Sequence, residues 1–228
     1  MGIDRASGER AGPIEVAGSQ LIDWTVDKGI QLATDINVTN NTDVTLNAED
    51  GSIILHQYVA IDERTKDAIF ESDGKARTID YGASIATAYG DINLTTTGRG
   101  DMLMNEFTSL SAGSDIYIRP YGDIGLYKAS LTAKGSITLD SSKGTTFPGN
   151  RDILIKNSQI NLTGLRDDQA ISINSRNKLD IAGSELNGNS SKRGILNLTG
   201  VDGIFLQDTE ITHLETRINN NTSFLGGG

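Results

Sequence analysis

Carboxylates are the side chains of this sequence best suited to acid–base chemistry. Two adjacent pairs, Asp62-Glu63 and Asp167-Asp168, offer the two carboxyl groups that glycoside hydrolysis holds roughly 5 to 10 Å apart. Neighbours on an extended strand point to opposite faces, so neither pair converges within one strand. Carboxylates from neighbouring strands could still meet, so a β-helical carbohydrate-active enzyme or a glycan-binding module stays the alternative function.

Other catalytic signatures are missing from the sequence. It has two histidines, His56 and His213, and it lacks the HExxH, GxSxG, Walker and GxGxxG motifs as well as calcium-binding glycine–aspartate repeats. A lone histidine in such a sequence is expected at a surface or turn position. We therefore expect no enzymatic activity, no metal site and no cofactor.

The tripeptide Arg99-Gly100-Asp101 is a candidate partner-binding site, because an exposed turn could present its guanidinium and carboxylate to an integrin. Glycine and aspartate are common in this chain, so the tripeptide also arises readily by chance. A glycine turn between two strands, from Ile92-Asn93-Leu94 to Met102-Leu103-Met104, is the interpretation that we favour.

A densely charged segment, residues 56–81, interrupts an otherwise regular sequence. It predicts an excursion from the main structure, either a hairpin around Ser72-Asp73-Gly74 or a short helix near 63–69. Insertions of this kind often carry binding, although a solvated loop without a partner is the other interpretation. Its candidate binding residues are Asp62, Glu63, Arg64, Lys66, Asp67, Glu71, Lys75 and Arg77.

Composition excludes several classes of protein. The net charge of −10 disfavours nucleic acids and anionic bilayers as partners. No apolar run is long enough to span a membrane, so we expect no membrane insertion. The chain has no cysteine and therefore no disulfide framework, and residues 1–12 lack the apolar core of a signal peptide. The sequence thus predicts a cytosolic protein or an interior fragment of a longer one.

A short unit recurs along the chain: a Gly, Asp or Asn turn, then Ile, one polar residue, and Leu, Ile or Val. In an extended chain this pattern buries two side chains and leaves the middle one in water. Strands of three to five residues are marginal alone and must be stacked on others. Clear copies are Gly90-Asp91-Ile92-Asn93-Leu94, Ser114-Asp115-Ile116-Tyr117-Ile118, Gly135-Ser136-Ile137-Thr138-Leu139 and Leu179-Asp180-Ile181.

The spacing of these units predicts coils of roughly 20 to 26 residues and an all-β fold, a parallel β-helix solenoid with one charged excursion. Three prolines agree with this fold, because nearly every backbone N–H must join a ladder. Trp24 shares one apolar face with Ile22 and Val26, so we expect it in the core or at an end cap. The predicted divisions are 1–12 as a flexible segment or cloning remnant, 13–225 as β-helix containing the 56–81 insertion, and 226–228 as a tail.

The repeat style of Gly135-Ser136-Ile137-Thr138-Leu139 and of 112–118 resembles the filamentous haemagglutinin family of bacterial two-partner-secreted proteins. That family includes large adhesins and contact-dependent growth inhibition effectors. The likeness covers residues 83–212 well and 13–55 more loosely. It implies a right-handed β-helical stalk that passes unfolded through an outer-membrane transporter and folds at the bacterial cell surface, a route to which a cysteine-free chain is suited.

Together these observations predict a non-enzymatic, secreted and surface-exposed β-helical segment of a large adhesin or effector. We expect it to act as a stalk, to contact a target-cell surface protein or glycan, and to be monomeric as a fragment. Whether it is ordinary stalk or a dedicated receptor-binding region stays open at this point.

Overall fold

A computed structural model describes residues 14–16, 22–60, 62, 64–65, 68–142 and 151–219. Every regular element in this part of the chain is a β-strand, and the strands form a parallel β-solenoid of about seven turns. The predicted all-β, parallel β-helix fold is therefore confirmed. The predicted terminal segments 1–12 and 226–228 lie outside the described residues, as do Glu63, Lys66 and Asp67 of the charged segment.

Three parallel sheets run along the solenoid, and each coil adds one short strand to each sheet. Sheet 1 contains β1 (Ile14–Val16), β4 (Ile36–Val38), β9 (Ser84–Thr87), β12 (Ser109–Ala112), β15 (Ser130–Ala133), β18 (Gln159–Leu162), β21 (Glu185–Asn187) and β24 (Glu210–Thr212). Sheet 2 contains β2 (Ile22–Val26), β5 (Val44–Ala48), β10 (Ile92–Thr96), β13 (Ile116–Arg119), β16 (Ile137–Asp140), β19 (Ala170–Ser175), β22 (Gly194–Gly200) and β25 (Leu214–Asn219). Sheet 3 contains β3 (Ile30–Leu32), β6 (Ile53–Leu55), β11 (Met102–Met104), β14 (Ile124–Tyr127), β17 (Ile153–Lys156), β20 (Lys178–Ala182) and β23 (Gly203–Gln207).

The core consists of rows of identical or similar side chains stacked from coil to coil. Strand β5 alternates buried and half-buried residues, as the period of two requires, and β10 above it repeats the pattern in register. Trp24 packs against the core in the first described coil, as predicted. From β2 to β22, one row of sheet 2 contains Ile22, Val44, Ile92, Ile116, Ile137, Ile171 and Leu196, each at most 3% exposed.

Coils differ in length mainly because the segments between their strands differ in length. Equivalent corner residues are 21 positions apart between Asp115 and Ser136, and 29 apart between Asp123 and Asp152. The largest departure lies between β6 and β9, where the chain leaves the solenoid and forms an antiparallel hairpin of β7 (Gln57–Val59) and β8 (Thr78–Gly82).

The tip of this hairpin is the turn Ser72-Asp73-Gly74. Glu71 N donates to Lys75 O (2.8 Å), Gly74 N donates to Glu71 O (3.0 Å), and Gly74 has the left-handed φ of 82° that a three-residue hairpin turn requires. Of the two predicted forms of the excursion, the hairpin is the one found. The residues described between 62 and 70 contain no helix.

Candidate functional site

The base of the hairpin is fastened to the solenoid. Ala83 N donates to His56 O (2.9 Å), which closes the two hairpin strands where they leave the coil. Tyr58 is 5% exposed, and its hydroxyl donates to Asp35 Oδ1 (2.9 Å), an oxygen that also accepts from the backbone and hydroxyl of Ser84. The hairpin is therefore held in a defined direction relative to the solenoid.

The hairpin occupies a corner that four later coils cross with one residue of left-handed φ: Lys128, Asn157, Gly183 or Asp208. Ala83 O accepts from Ser109 N (3.1 Å), and in later coils the same inter-coil bond ends on the carbonyls of Thr108, Ala129, Ser158 and Ser184. Ala83 is thus equivalent to Ala129, which follows a single residue with left-handed φ, Lys128 (47°). Residues 57–82 take the place of that one residue.

The described charged candidates on the hairpin contact neighbouring residues of the hairpin itself. Arg77 Nε lies 2.5 Å from Glu71 Oε1, and this hydrogen bond lowers the pKa of Glu71. Lys75 pairs with Asp73 at 3.2 Å. Asp62 Oδ1 accepts from the backbone N–H groups of Arg64 (2.8 Å) and Thr65 (3.2 Å), so its carboxylate holds a local turn.

Apolar side chains on the hairpin, which the sequence reasoning passed over, are exposed instead. Phe70 is 63% exposed, Tyr81 is 51% exposed and Ile79 is 36% exposed. The ring of Tyr81 lies 5.4 Å from that of the anchored Tyr58, which limits its movement. The period of two between Ile79 and Tyr81 was the available signal, because it places both side chains on one face of a strand.

The Arg99-Gly100-Asp101 tripeptide forms the turn between β10 and β11. Arg99 is exposed, but Gly100 is buried, and a Cβ there would collide with the carbonyl oxygen of Gly51. Asp101 N donates to Ser52 Oγ (3.0 Å). The tripeptide thus serves the contact between coils, in agreement with a glycine turn.

The carboxylate of Asp101 begins a ladder along the corner between sheets 2 and 3. Its Oδ1 accepts from Asp123 N (2.9 Å), Asp123 Oδ1 accepts from Asp152 N (2.8 Å), and Asp152 Oδ1 accepts from Lys178 N (3.1 Å). Burial raises the pKa of Asp123, against the effect of its bond from Asp152 N, and the neighbouring carboxylates raise it further. We call this series the Asp101 ladder.

A second ladder follows the corner between sheets 1 and 2. Asp43 Oδ1 accepts from Asp91 N (2.8 Å), Asp91 Oδ1 accepts from Asp115 N (2.9 Å), and Asp115 Oδ1 accepts from Ser136 N. Asp115 Oδ2 also accepts from the Tyr117 hydroxyl (2.9 Å). Burial, together with this bond and the nearby carboxylates, raises the pKa of Tyr117 to about 12. Part of the acidic character of the chain therefore caps backbone donors of the next coil.

Beside this second ladder lies an open groove of about 520 Å³ at the corner between sheets 1 and 2. Lys134 and Arg166 supply positive charge, and Leu165 is 67% exposed. Tyr89, 63% exposed, lies next to it, with Lys134 Nζ 5.8 Å from the ring centre. We call this the corner groove; an aromatic ring beside cations suits an acidic sugar.

The remaining chemical candidates do not assemble. Asp168 pairs with Arg166 (3.3 Å), whereas Asp167 pairs with Lys192 (2.7 Å), so the two adjacent carboxylates contact different cations. His56 lies at the hairpin base, far along the chain from His213, which has a left-handed φ of 55°. Within the described ranges, no three His, Asp or Glu side chains form a metal-binding group.

The described residues also contain no helix long and apolar enough to cross a membrane. Comparison with protein-family models, with curated proteins and with solved structures finds no match. The functional assignment therefore depends on the residues and geometry of this chain.

Proposed function

We propose that this chain is a non-enzymatic, surface-exposed β-helical segment of a large secreted bacterial adhesin or growth-inhibition effector. In this role the solenoid is a stalk, and the hairpin at residues 56–83 contacts a protein or glycan on a target cell. Passage through an outer-membrane transporter belongs to the same proposal. Its main support is that a hairpin with exposed Phe70 and Tyr81 projects from an otherwise regular solenoid.

The arrangement of polar groups supports a contact at the hairpin. The carboxylates of the two ladders are engaged by backbone donors of the stalk, so they are less available to a partner. The hairpin carries both exposed aromatic side chains and paired charges, a combination that suits the centre and the polar rim of a protein interface. The anchor of Tyr58 reduces the conformational entropy that binding would cost.

A deletion designed from the corner equivalence tests this proposal. Replacing residues 57–82 by one glycine gives His56-Gly-Ala83, which matches the corner Tyr127-Lys128-Ala129. The variant is expected to keep the circular dichroism and melting temperature of a β-solenoid. Its binding to intact bacterial and epithelial cells, measured by flow cytometry of labelled protein, is expected to fall at least about tenfold.

Point variants localise the contact within the hairpin. Phe70→Ala is expected to weaken cell binding, whereas Tyr89→Ala, an equally exposed aromatic residue on the stalk, serves as the matched control. Unchanged binding by both the deletion and Phe70→Ala would move the contact to the regular coils. A wild-type chain that binds neither cell type would refute the contact role.

A glycan-binding function is the second candidate, and the corner groove is the observation that favours it. Lys134 Nζ lies 5.8 Å from the ring centre of the exposed Tyr89, and Arg166, which pairs with Asp168, lines the same groove. Under this alternative, Tyr89→Ala and Lys134→Ala abolish binding on a glycan array, and Phe70→Ala does not. The reverse pattern would favour the hairpin.

A further inference from the structure

The outer face of sheet 3 carries apolar side chains where the other two sheets carry mostly polar ones. An outward column of sheet 2 contains Thr45, Asn93, Tyr117, Thr138, Ser172 and Asn197. An outward column of sheet 1 contains Asn37, Ala86, Ser111, Thr132, Asn161 and Asn187. The corresponding column of sheet 3 contains Ile54, Leu103, Gly125 and Leu154, which we call the Leu103 strip. Gln31 precedes the strip and Asp180 follows it, so polar residues bound it at both ends.

Three strands of sheet 3 are consequently continuous apolar runs, namely Ile53-Ile54-Leu55, Met102-Leu103-Met104 and Ile153-Leu154-Ile155. Parallel strands have such sequences when both faces of their sheet are covered. The first and last residue of each run are at most 1% exposed, whereas the middle residues, which form the strip, are only half-buried. The chain thus covers the inner face with its own core, and its sequence suits an outer face covered by another molecule.

Gly125 interrupts the strip without interrupting the apolar surface. A Cβ at Gly125 would lie 2.9 Å from Leu103 Cδ2 and 2.9 Å from Tyr127 Cε2, so these two side chains lie across the glycine and close to the sheet. Tyr127 is itself half-buried. The strip and Tyr127 therefore form a low apolar surface, which suits packing against a second sheet at a distance of about 10 Å.

Charges of opposite sign flank the strip on its two long sides. Asp152 precedes β17 and Lys156 ends it, and the period of two places both on the outer face with Leu154. Asp123 and Asp101 extend the negative side along the Asp101 ladder. The ladder engages each of these three aspartates through Oδ1, so Oδ2 can accept a hydrogen bond from a second copy.

Two kinds of two-fold rotation could place this face against the same face of another copy. A rotation axis across the solenoids would make them antiparallel and would set the aspartates of one copy against those of the other. An axis along the solenoids keeps them parallel and reverses the strands, so Lys156 of each copy meets Asp152 of the other while Leu154 faces Leu154. Opposite charges across the contact favour the parallel arrangement, and like charges disfavour the antiparallel one.

We propose that the Leu103 strip binds the same strip of a second copy of this chain, with the two solenoids side by side and parallel. The contact runs along the side of the solenoid, so it is compatible with an interior segment of a longer stalk. Asp80 of the hairpin shares a groove with Ser109 and Ser130 of sheet 1, so the hairpin lies toward that sheet. The dimer departs from the monomer expected from the sequence.

The size of the contact predicts its strength. Four coils at about 4.8 Å, and about 13 Å along the strand from Asp152 to Lys156, give roughly 250 Å² of sheet per copy. A stable interface of standard size buries about 800 Å² per partner. The dimer of this chain is therefore weak and depends on concentration.

Sedimentation velocity from low micromolar to millimolar concentration tests the association. Wild type is expected to pass from monomer to dimer and to form no larger species, because a two-fold contact closes on itself. The double variant Leu103→Thr/Leu154→Thr is expected to raise the dissociation constant about tenfold or more. Its circular dichroism should stay that of a β-solenoid, since sheets 1 and 2 carry threonine in their outward columns. Thr45→Ala/Thr138→Ala, on the outer face of sheet 2, is the matched control and should dimerise as wild type does.

Cross-linking of single-cysteine variants tests the parallel arrangement, and the absence of native cysteine makes each product unambiguous. Leu154→Cys should link to itself through a bis-maleimide that spans about the 10 Å between packed sheets. A mixture of Ile54→Cys and Leu154→Cys should yield no linked 54–154 peptide in mass spectrometry, whereas an antiparallel dimer would yield it. Thr138→Cys, a half-buried outward position of sheet 2, should not link to itself.

Several results would overturn the proposal. A monomer at every concentration whose Leu154→Cys thiol reacts freely would assign the strip to a different partner, and one whose thiol is protected would assign the cover to another part of the same chain. A threonine double variant that dimerises normally, a linked 54–154 peptide, or equal self-linking by Thr138→Cys would contradict it as well. The variant without residues 57–82 should still dimerise, which separates failure of this contact from failure of the hairpin to bind cells.

Discussion

Shortening Ile171 to alanine is expected to lower the free energy of unfolding by about 3 to 4 kcal/mol. Ile171 is fully buried, with Ile137 below it and Leu196 above it in the same row. Both neighbours are held by their own strands, so they cannot move into the space left by three missing carbon atoms. The loss should therefore exceed the lower end of the range for such substitutions, about 2 to 5 kcal/mol.

Ile218→Ala is the matched control, because it removes the same atoms from a side chain that is already 58% exposed. Its expected cost is about 1 kcal/mol or less. Urea denaturation followed by circular dichroism measures both variants. For a chain of this length, the Ile171→Ala loss corresponds to a melting temperature lower by about 10 °C.

Equal losses for the two variants would refute the stacked-row argument, since one site has neighbours on both sides and the other has a neighbour on one side. A harsher form of the test buries a charge in the same row. Ile137→Asp and Ile171→Asp are expected to unfold the chain. If both aspartate variants melt like wild type, the core is not built from these rows.

Three further predictions concern the corners and the hairpin base. Asp123→Ala removes the acceptor for Asp152 N and should cost about 1 to 3 kcal/mol in urea denaturation, whereas Asp123→Asn keeps an acceptor without a buried charge and should cost less. Burial lowers the pKa of His56 below its ordinary value of 6.5, so on acidification the histidine of the unfolded chain is protonated first. The stability that His56 contributes above pH 6.5 should therefore be lost as the pH falls, and His56→Gln should flatten that pH dependence. Lys128 has a left-handed φ, which costs less for glycine, the residue found as Gly183 at the same corner of a later coil. Lys128→Gly should therefore raise the free energy of unfolding by about 0.5 kcal/mol, and a clear loss would contradict this.

The aspartates before the strands show what a local sequence pattern can predict and what it cannot. An aspartate immediately before the first strand residue recurs at Asp91, Asp115, Asp123 and Asp152, and sequence reasoning treated it as a turn former. In the structure each carboxylate accepts a backbone N–H of the following coil. That partner lies more than 20 residues away, so no local pattern names it.

The sequence likewise predicted only some features of the hairpin. The position of an excursion and its turn at Ser72-Asp73-Gly74 followed from dense charge and a glycine signal. The pairing of Arg77 with Glu71 and the exposure of Phe70 did not, because both depend on which strand faces which. A charged sequence suggested a charged contact, while the described part of the hairpin pairs Arg77 with Glu71 and Lys75 with Asp73 and exposes aromatic side chains.

The sequence by itself determined the fold class and the identity of most core residues, because alternation with a period of two and frequent turns are local properties of the chain. Only the tertiary structure decided the register. Ile36 pairs with Ile85 although the hairpin separates them in the sequence, because this register buries the apolar rows of three sheets at once. The same stacking decided how deeply each residue of a row is buried, as at Ile181 and Leu198, which are fully buried.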